Sequence, residues 1–306
     1  MAVASQGRRR WIAWPQARKA SGGIAQRPSY LGEVRARFLR NRAGVGALSV
    51  ILLLVFASLL APLLAPYDPL VGRVTQRLLP IGTTTHLLGT DEQGRDMLSR
   101  LIYGGRTSLV TGIVPVFVAV VVGTAIGAAA GFVRGFFGAL LMRTMDTFYA
   151  LPAIMLAIAV AASLGPGVKN SIIAISIVFI PPISRVAESA TRQVVMHEYI
   201  EAARLSGANP LQIVLKQVLA NIFNPIFVYA SSLVGLSIVI ASGLSFLGLG
   251  SSPPTPEWGY MLNSLRGTIY TQPWVAALPG LFIFVTSMAF NILSDAVRDA
   301  LDIKEA

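Results

Sequence analysis

The chain has 306 residues, 54% of them hydrophobic and only 13% charged, with a mean hydropathy of +0.65. So much apolar surface cannot be buried in a water-soluble core, so the chain belongs in a bilayer. The absence of cysteine excludes disulfides, thiolate metal sites and thiol nucleophiles, and two histidines, His86 and His197, are too few for a histidine metal site.

The formal charge of +11 could suggest nucleic acid, but 10 of the 25 basic residues fall in the first 42, among Pro, Gly and Ser. This pattern reads as a basic cytosolic tail over 1–42, and nucleic-acid binding is set aside. A tail of this kind ahead of the first apolar run does not look like a secretory leader, so the first span is expected to stay as an anchor. Its attraction to anionic lipid would be worth about 1 kcal/mol per nearby basic residue.

A membrane-crossing helix needs about 20 mostly apolar residues. Six stretches qualify: 43–65, 108–133, 144–164, 171–188, 223–249 and 274–296. With the N-terminus in the cytosol, 18 Arg and Lys fall inside, counting Arg185 near a span end, against 7 outside, so both termini are assigned to the cytosol. The expected organisation is the tail, a first span with its external connector over 43–106, a core of five spans over 107–297 that includes a polar loop at 189–222, and a cytosolic C-terminus at 298–306.

After the first span comes His86-Leu87-Leu88-Gly89-Thr90-Asp91-Glu92-Gln93-Gly94-Arg95-Asp96-Met97-Leu98-Ser99-Arg100. Thr90 or Asp91 is expected to cap a short interfacial helix with Asp96 and Arg100 one turn apart in surface pairs, and with Leu98, Leu101 and Ile102 toward the membrane. Asp91, Glu92 and Asp96 lack the alternating carboxylates of a calcium loop.

Gly123, Gly127 and Gly131 recur every four residues in the second span, so they share one helix face where another backbone can come close. Pro115, Pro152, Pro181, Pro182 and Pro279 each remove a backbone donor and mark kinks or helix ends. Asp146 and Arg185 lie near estimated span ends, and the span centres are almost uncharged.

The loop Glu198-Tyr199-Ile200-Glu201-Ala202-Ala203-Arg204-Leu205-Ser206-Gly207-Ala208-Asn209-Pro210 reads as a helix-turn-helix: Gly207 closes one helix in the left-handed conformation and Asn209-Pro210 starts the next. Leu211, Val214, Leu215, Val218, Leu219 and Ile222 then form an apolar stripe expected to lie against the bundle. Further on, Pro253-Pro254-Thr255-Pro256-Glu257 leads into a short helix whose Trp258, Met261, Leu262 and Leu265 suit a membrane surface.

The 198–219 loop resembles the EAA loop of bacterial ABC-importer permeases, through Glu201, Ala202, Ala203 and Gly207. The stretch from Leu88 to Leu109 is similar to the LGTDxxGRDxLSRxxxGxRxSL signature of the C-type permease of dipeptide, oligopeptide and nickel importers. Where the family has Leu-Pro after the glycine, this chain has Leu219-Ala220, so the handover into the fifth span is expected to differ.

The resemblance implies an all-α membrane protein with six spans, the type I importer permease fold and a cytosolic coupling helix-turn-helix. It implies ATPase-coupling residues Glu201, Ala202, Ala203, Arg204 and Gly207, and an external signature at Gly89, Thr90, Asp91, Gly94, Arg95 and Asp96. Implied partners are a homologous second permease in a heterodimer, two ATPase subunits, a periplasmic or lipid-anchored binding protein, and membrane lipid. The chain would bind no cofactor, with ATP and magnesium held by the ATPases, and would import short peptides, nickel or another solute being the alternative.

No Gly-x-x-x-x-Gly-Lys-Ser/Thr occurs, nor His-Glu-x-x-His or Gly-x-Ser-x-Gly, which speaks against a phosphate-binding loop or a hydrolase site in this chain. A rival reading, an ion-coupled secondary transporter, would place ionisable groups at the bilayer midplane, where this chain has few. A purely structural scaffold would leave the capped polar loop without purpose.

Overall fold

In a computed structural model, residues 30–133 and 135–301 are described. Most of the basic tail and the last five residues lie outside them. The end of the tail is a helix, α1 (Tyr30–Arg40), with a Glu33–Arg37 ion pair one turn apart.

No strand occurs among the described residues. Five helices are long and apolar enough to cross a membrane, or six if one sharply bent pair counts as a span. They are α2 (Arg42–Leu59), α4 (Met97–Phe132), α7 (Val168–Val195), the continuous run Pro210–Phe246, and α12 (Pro273–Leu301). The bent pair is α5 (Phe136–Tyr149) and α6 (Ala153–Leu164), which meet at 91°. Pro152 stands at the N-cap of α6, where its ring and missing donor stop α5 from continuing. The stretch 144–164 is therefore not one straight helix. Short α3 (Ala61–Leu64) follows α2.

Asn41 caps α2 by accepting from the Gly44 N–H at 3.0 Å. Much of the α2 surface stays apolar and exposed, as at Leu53 and Phe56, while Ala47 and Ile51 pack with Ala289 of α12.

The second span starts earlier than expected. The interfacial helix and the span fuse into the single 36-residue α4, about 54 Å long. The principal helix pair is α4 with α7, and the glycine face makes it possible. A Cβ at Gly123 would fall 3.0 Å from the Ile180 carbonyl oxygen, and one at Gly131 2.8 Å from that of Glu188. Such approach gains dispersion contacts that larger side chains would prevent. The main apolar core lies along this seam and against α10 (Leu219–Phe246), with Ala119, Ile175, Ile183, Ala187, Ile222 and Ile240 buried.

α7 carries Pro181 and Pro182 inside it and ends at Val195. After Met196 and His197 the chain turns into α8 (Glu198–Leu205), then α9 (Pro210–Ile213) and a π turn, Val214–Val218, that leads directly into α10. The Leu219 N–H donates to the Val214 carbonyl, the five-residue step of a π turn. That extra residue shifts the helix phase. Ile213, Val218, Ile222 and Ile226 are buried, whereas Leu211 and Leu215, expected on the inward stripe, are exposed. The handover at Ala220 needs no proline break, and Pro225 lies within α10.

Candidate functional site

Two constructed regions stand at opposite ends of α4, which starts in one and ends beside the other. The first is a polar platform made from the connector after α3 and from the segment around α11 (Trp258–Ser264).

Asp96, rather than Thr90 or Asp91, caps α4, accepting from the Ser99 N–H and Oγ, both at 2.7 Å. Its other oxygen lies 2.9 Å from Nδ1 of His86. Thr90 instead joins the connector to itself: its hydroxyl donates to the Gln76 carbonyl at 2.5 Å and accepts from the Leu79 N–H at 2.9 Å. Asp91 accepts from the backbone N–H of Gln93 and Arg95 and from Arg95 Nε at 2.7 Å, with Arg100 Nε at 3.4 Å. Gly89 and Gly94 both adopt positive φ, and a Cβ at Gly94 would collide with the Arg73 backbone.

The charges expected in surface pairs are therefore buried: Asp91, Arg95, Asp96 and Arg100 are each less than 5% exposed. Their side chains fold back on one another because the connector wraps over them, and Arg100 donates to the Pro69 carbonyl at 3.0 Å. Leu101, expected toward the membrane, is fully buried.

The second platform segment also departs from expectation. Trp258, Met261 and Leu265 are buried in a cluster with Met97, Leu101 and Val275, not laid on a membrane surface. Trp258 Nε1 donates to the Leu101 carbonyl at 2.9 Å, and its N–H to Ser108 Oγ at 3.1 Å. Glu257 caps α11 through the Gly259 and Tyr260 N–H groups, both at 2.8 Å, and accepts from Ser108 Oγ at 3.2 Å. Burial pushes the Glu257 carboxyl above its usual range, against these hydrogen bonds, which pull it down. Glu92 accepts from Thr268 Oγ1 at 3.0 Å, joining the two segments again. Arg106 donates to the Ser58 and Leu59 carbonyls at 2.6 and 2.8 Å and so closes the end of α2. Sequence reasoning passed over Ser108, Arg106 and the capping role of Glu257; the acidic residue just before Trp258 was the available signal for the cap.

The second region is the helix-turn-helix at the far end. The Ala208 N–H donates to the Ala203 carbonyl at 3.1 Å and that of Gly207 to Arg204 at 3.0 Å, with Gly207 at φ +79°. This is a Schellman closure of α8. Asn209 Oδ1 accepts from the Leu211 N–H at 3.1 Å and opens α9. Only Ile200 of α8 is buried; Glu201, Ala202 and Arg204 are exposed, and Ala203 is half-buried. The Arg204 guanidinium lies 5.3 Å from the ring centroid of Phe132, the last residue of α4. Leu205 and Met196, at 85% and 74% exposure, project beside this helix.

An all-helical bundle with long apolar helices, a buried polar platform at one end and a capped, exposed helix-turn-helix at the other is the architecture of a multi-pass membrane protein. The chain belongs to the family described as "Binding-protein-dependent transport system inner membrane component", whose model matches residues 95–304. Residues 29–80 match a second model, the "N-terminal TM domain of oligopeptide transport permease C". It is therefore a multi-pass inner-membrane protein and a C-type permease subunit of a binding-protein-dependent importer.

Among curated relatives, the "Di/tripeptide transport system permease protein DppC" of Pseudomonas aeruginosa is 44% identical over 90% of this chain and 93% of that protein. The "Glutathione transport system permease protein GsiD" of Pectobacterium atrosepticum is 42% identical over 88% of this chain and 89% of its own length. Among solved structures, an inward-facing conformation of the MetNI methionine ABC transporter superimposes with a TM-score of 0.55, at 18% identity, covering 67% of this chain and 97% of that one. That likeness concerns the fold.

Proposed function

We propose that this chain is one of two non-identical permeases of an ATP-driven importer of short peptides, and that it makes no covalent bond itself. The helix-turn-helix faces the cytosol together with both termini, and the platform faces outward toward the binding protein. Two ATPase subunits, which hold ATP and magnesium, receive α8. Closure of the ATPases displaces α8, and α7 and α10 follow because each is continuous with the loop, so the pathway alternates between outward and inward openings.

The exposure of α8 carries the coupling reading. A helix this short is marginal alone, yet its end is closed by a Schellman pair and it rests on the bundle through Ile200, so its remaining exposed face is held ready for a partner. Peptide cargo rests on the names of the relatives, and glutathione falls in the same class of short peptides.

Purification of this chain from gently solubilised membranes should bring down a second permease and ATPases, with ATP hydrolysis stimulated by a loaded binding protein. In the same complex Glu201→Arg or Gly207→Pro should leave the subunit inserted while hydrolysis no longer drives peptide uptake. Wild-type uptake by both variants overturns the coupling assignment.

A further inference from the structure

Two cavities are each lined by residues of both α5 and α7. One, of about 400 Å³, sits at the break after α5 and is walled by Phe148, Tyr149, Phe179 and Tyr229 with aliphatic neighbours and no charged residue. The other, of about 590 Å³, is lined by Arg143, Asp146, Arg185, Glu188 and Arg192. Both volumes fall in the range of small-molecule sites.

The charged cavity holds an ion pair whose residues lie within one turn of residues lining the aromatic one, Asp146 before Phe148 and Arg185 after Pro182. Asp146 lies one turn before the end of α5 and pairs with Arg185, one turn beyond Pro182 on α7. Neither side chain is sequestered: Arg185 is 50% and Asp146 37% exposed. By contrast Arg192 is held on its own helix by Glu188 at 2.5 Å, so it braces α7 and spans nothing.

We propose that Asp146 and Arg185, with the aromatic chamber of Phe148, Tyr149, Phe179 and Tyr229, form a cargo-reading site for a zwitterionic short peptide. Arg185 takes the terminal carboxylate, for which a guanidinium fork is well shaped. Asp146 takes the terminal ammonium, aided by the negative end of the α5 dipole, because it stands in the last turn of that helix. The rings receive the peptide side chains without selecting among them, since any ring face accepts apolar and cationic groups.

The pair also explains why a zwitterion would pass where other solutes stall. Opening the pair gives up its charge-assisted hydrogen bonds unless each charge finds a substitute. A peptide with both termini free brings one charge of each sign and leaves neither residue unpaired. A peptide amide or an N-acetyl peptide supplies only one.

This inference rests on the peptide-import reading, and the test separates the two. The complete transporter, in proteoliposomes with binding protein at concentrations saturating for each peptide, is assayed with a free dipeptide, its C-terminal amide and its N-acetyl form. The wild type should import the free dipeptide at least about ten-fold faster than either blocked form. Arg185→Gln should abolish the preference over the amide and keep that over the acetyl form; Asp146→Asn should do the reverse. An unchanged preference in both variants, or an equal loss for all three peptides, overturns the site. Because either variant could disturb packing, a diazirine dipeptide caught in the wild-type complex provides the second readout. Adducts at Tyr149, Tyr229 or their neighbours support the site, and adducts confined to the second permease overturn it. A wild-type complex that hydrolyses ATP yet imports none of the peptides defeats the peptide-import reading itself.

Discussion

The platform and the helix-turn-helix are both polar segments set between apolar helices, yet they are built in opposite ways. In the platform every charge of the 91–100 stretch except the half-buried Glu92 is enclosed and faces another group of the same chain. In the helix-turn-helix the charges stand outside together with Tyr199, Leu205 and Leu211, while Ile200 and Ile213 anchor it to the bundle. One region turns its charges inward, and the other leaves them on the surface.

That contrast can be broken most forcefully at Asp91. Asp91→Ala strands Arg95 and Arg100 in a closed site, and losing one member of a buried charged group costs about 3–5 kcal/mol. Thermal unfolding in detergent should show the loss; a variant as stable as the wild type would mean that the charges are not enclosed. Gly207→Ala places a Cβ at positive φ and should cost about 1–2 kcal/mol, read by the same assay, with a smaller fall in coupling than Gly207→Pro. At Leu205 the expected change in stability is within about 0.5 kcal/mol, while binding of the ATPases to Leu205→Ser should weaken, measured by co-purification.

The smallest effect belongs to Glu257. Because its carboxyl is raised above the ordinary 4.5, the folded protein holds that proton more tightly than the unfolded chain does. The stabilisation is complete below the ordinary value and is lost as pH rises through the raised one. Stability of the wild type should therefore fall across that window, and that of Glu257→Gln should not.

Much of this arrangement can be read from the residues in order. The apolar runs mark the long helices, the four-residue glycine repeat marks the face of α4 that meets α7, and Gly207 followed by Asn209-Pro210 marks the turn, because these signals are local. What escaped was set by contacts distant in sequence. Asp91 looks as suitable a cap as Asp96 until Arg95 and Arg100 claim it. Trp258 with Met261 and Leu265 makes an amphipathic stripe, and only the meeting with Leu101 and Ser108 decides that the stripe faces protein. The π turn at Val214–Val218 leaves no compositional trace, so the 3.6-residue period assigned Leu211 and Leu215 to the wrong side. Pro152 announced a break but not its 91° angle. Glu201 to Gly207 are marked by a motif, and the motif gives no hint that Arg204 lies over Phe132.

The glycine seam has a mechanical consequence. With backbone set against backbone along three successive turns, α4 and α7 have no cushion of flexible side chains in which to slip. α4 is rooted in the platform, and only the turn at Met196 and His197 separates α7 from α8, so the two form a single strut from one end of the bundle to the other. On the proposed reading, a push on α8 and the arrival of a protein on the platform would act on the same rigid body, and each face would register the state of the other without a relay between them.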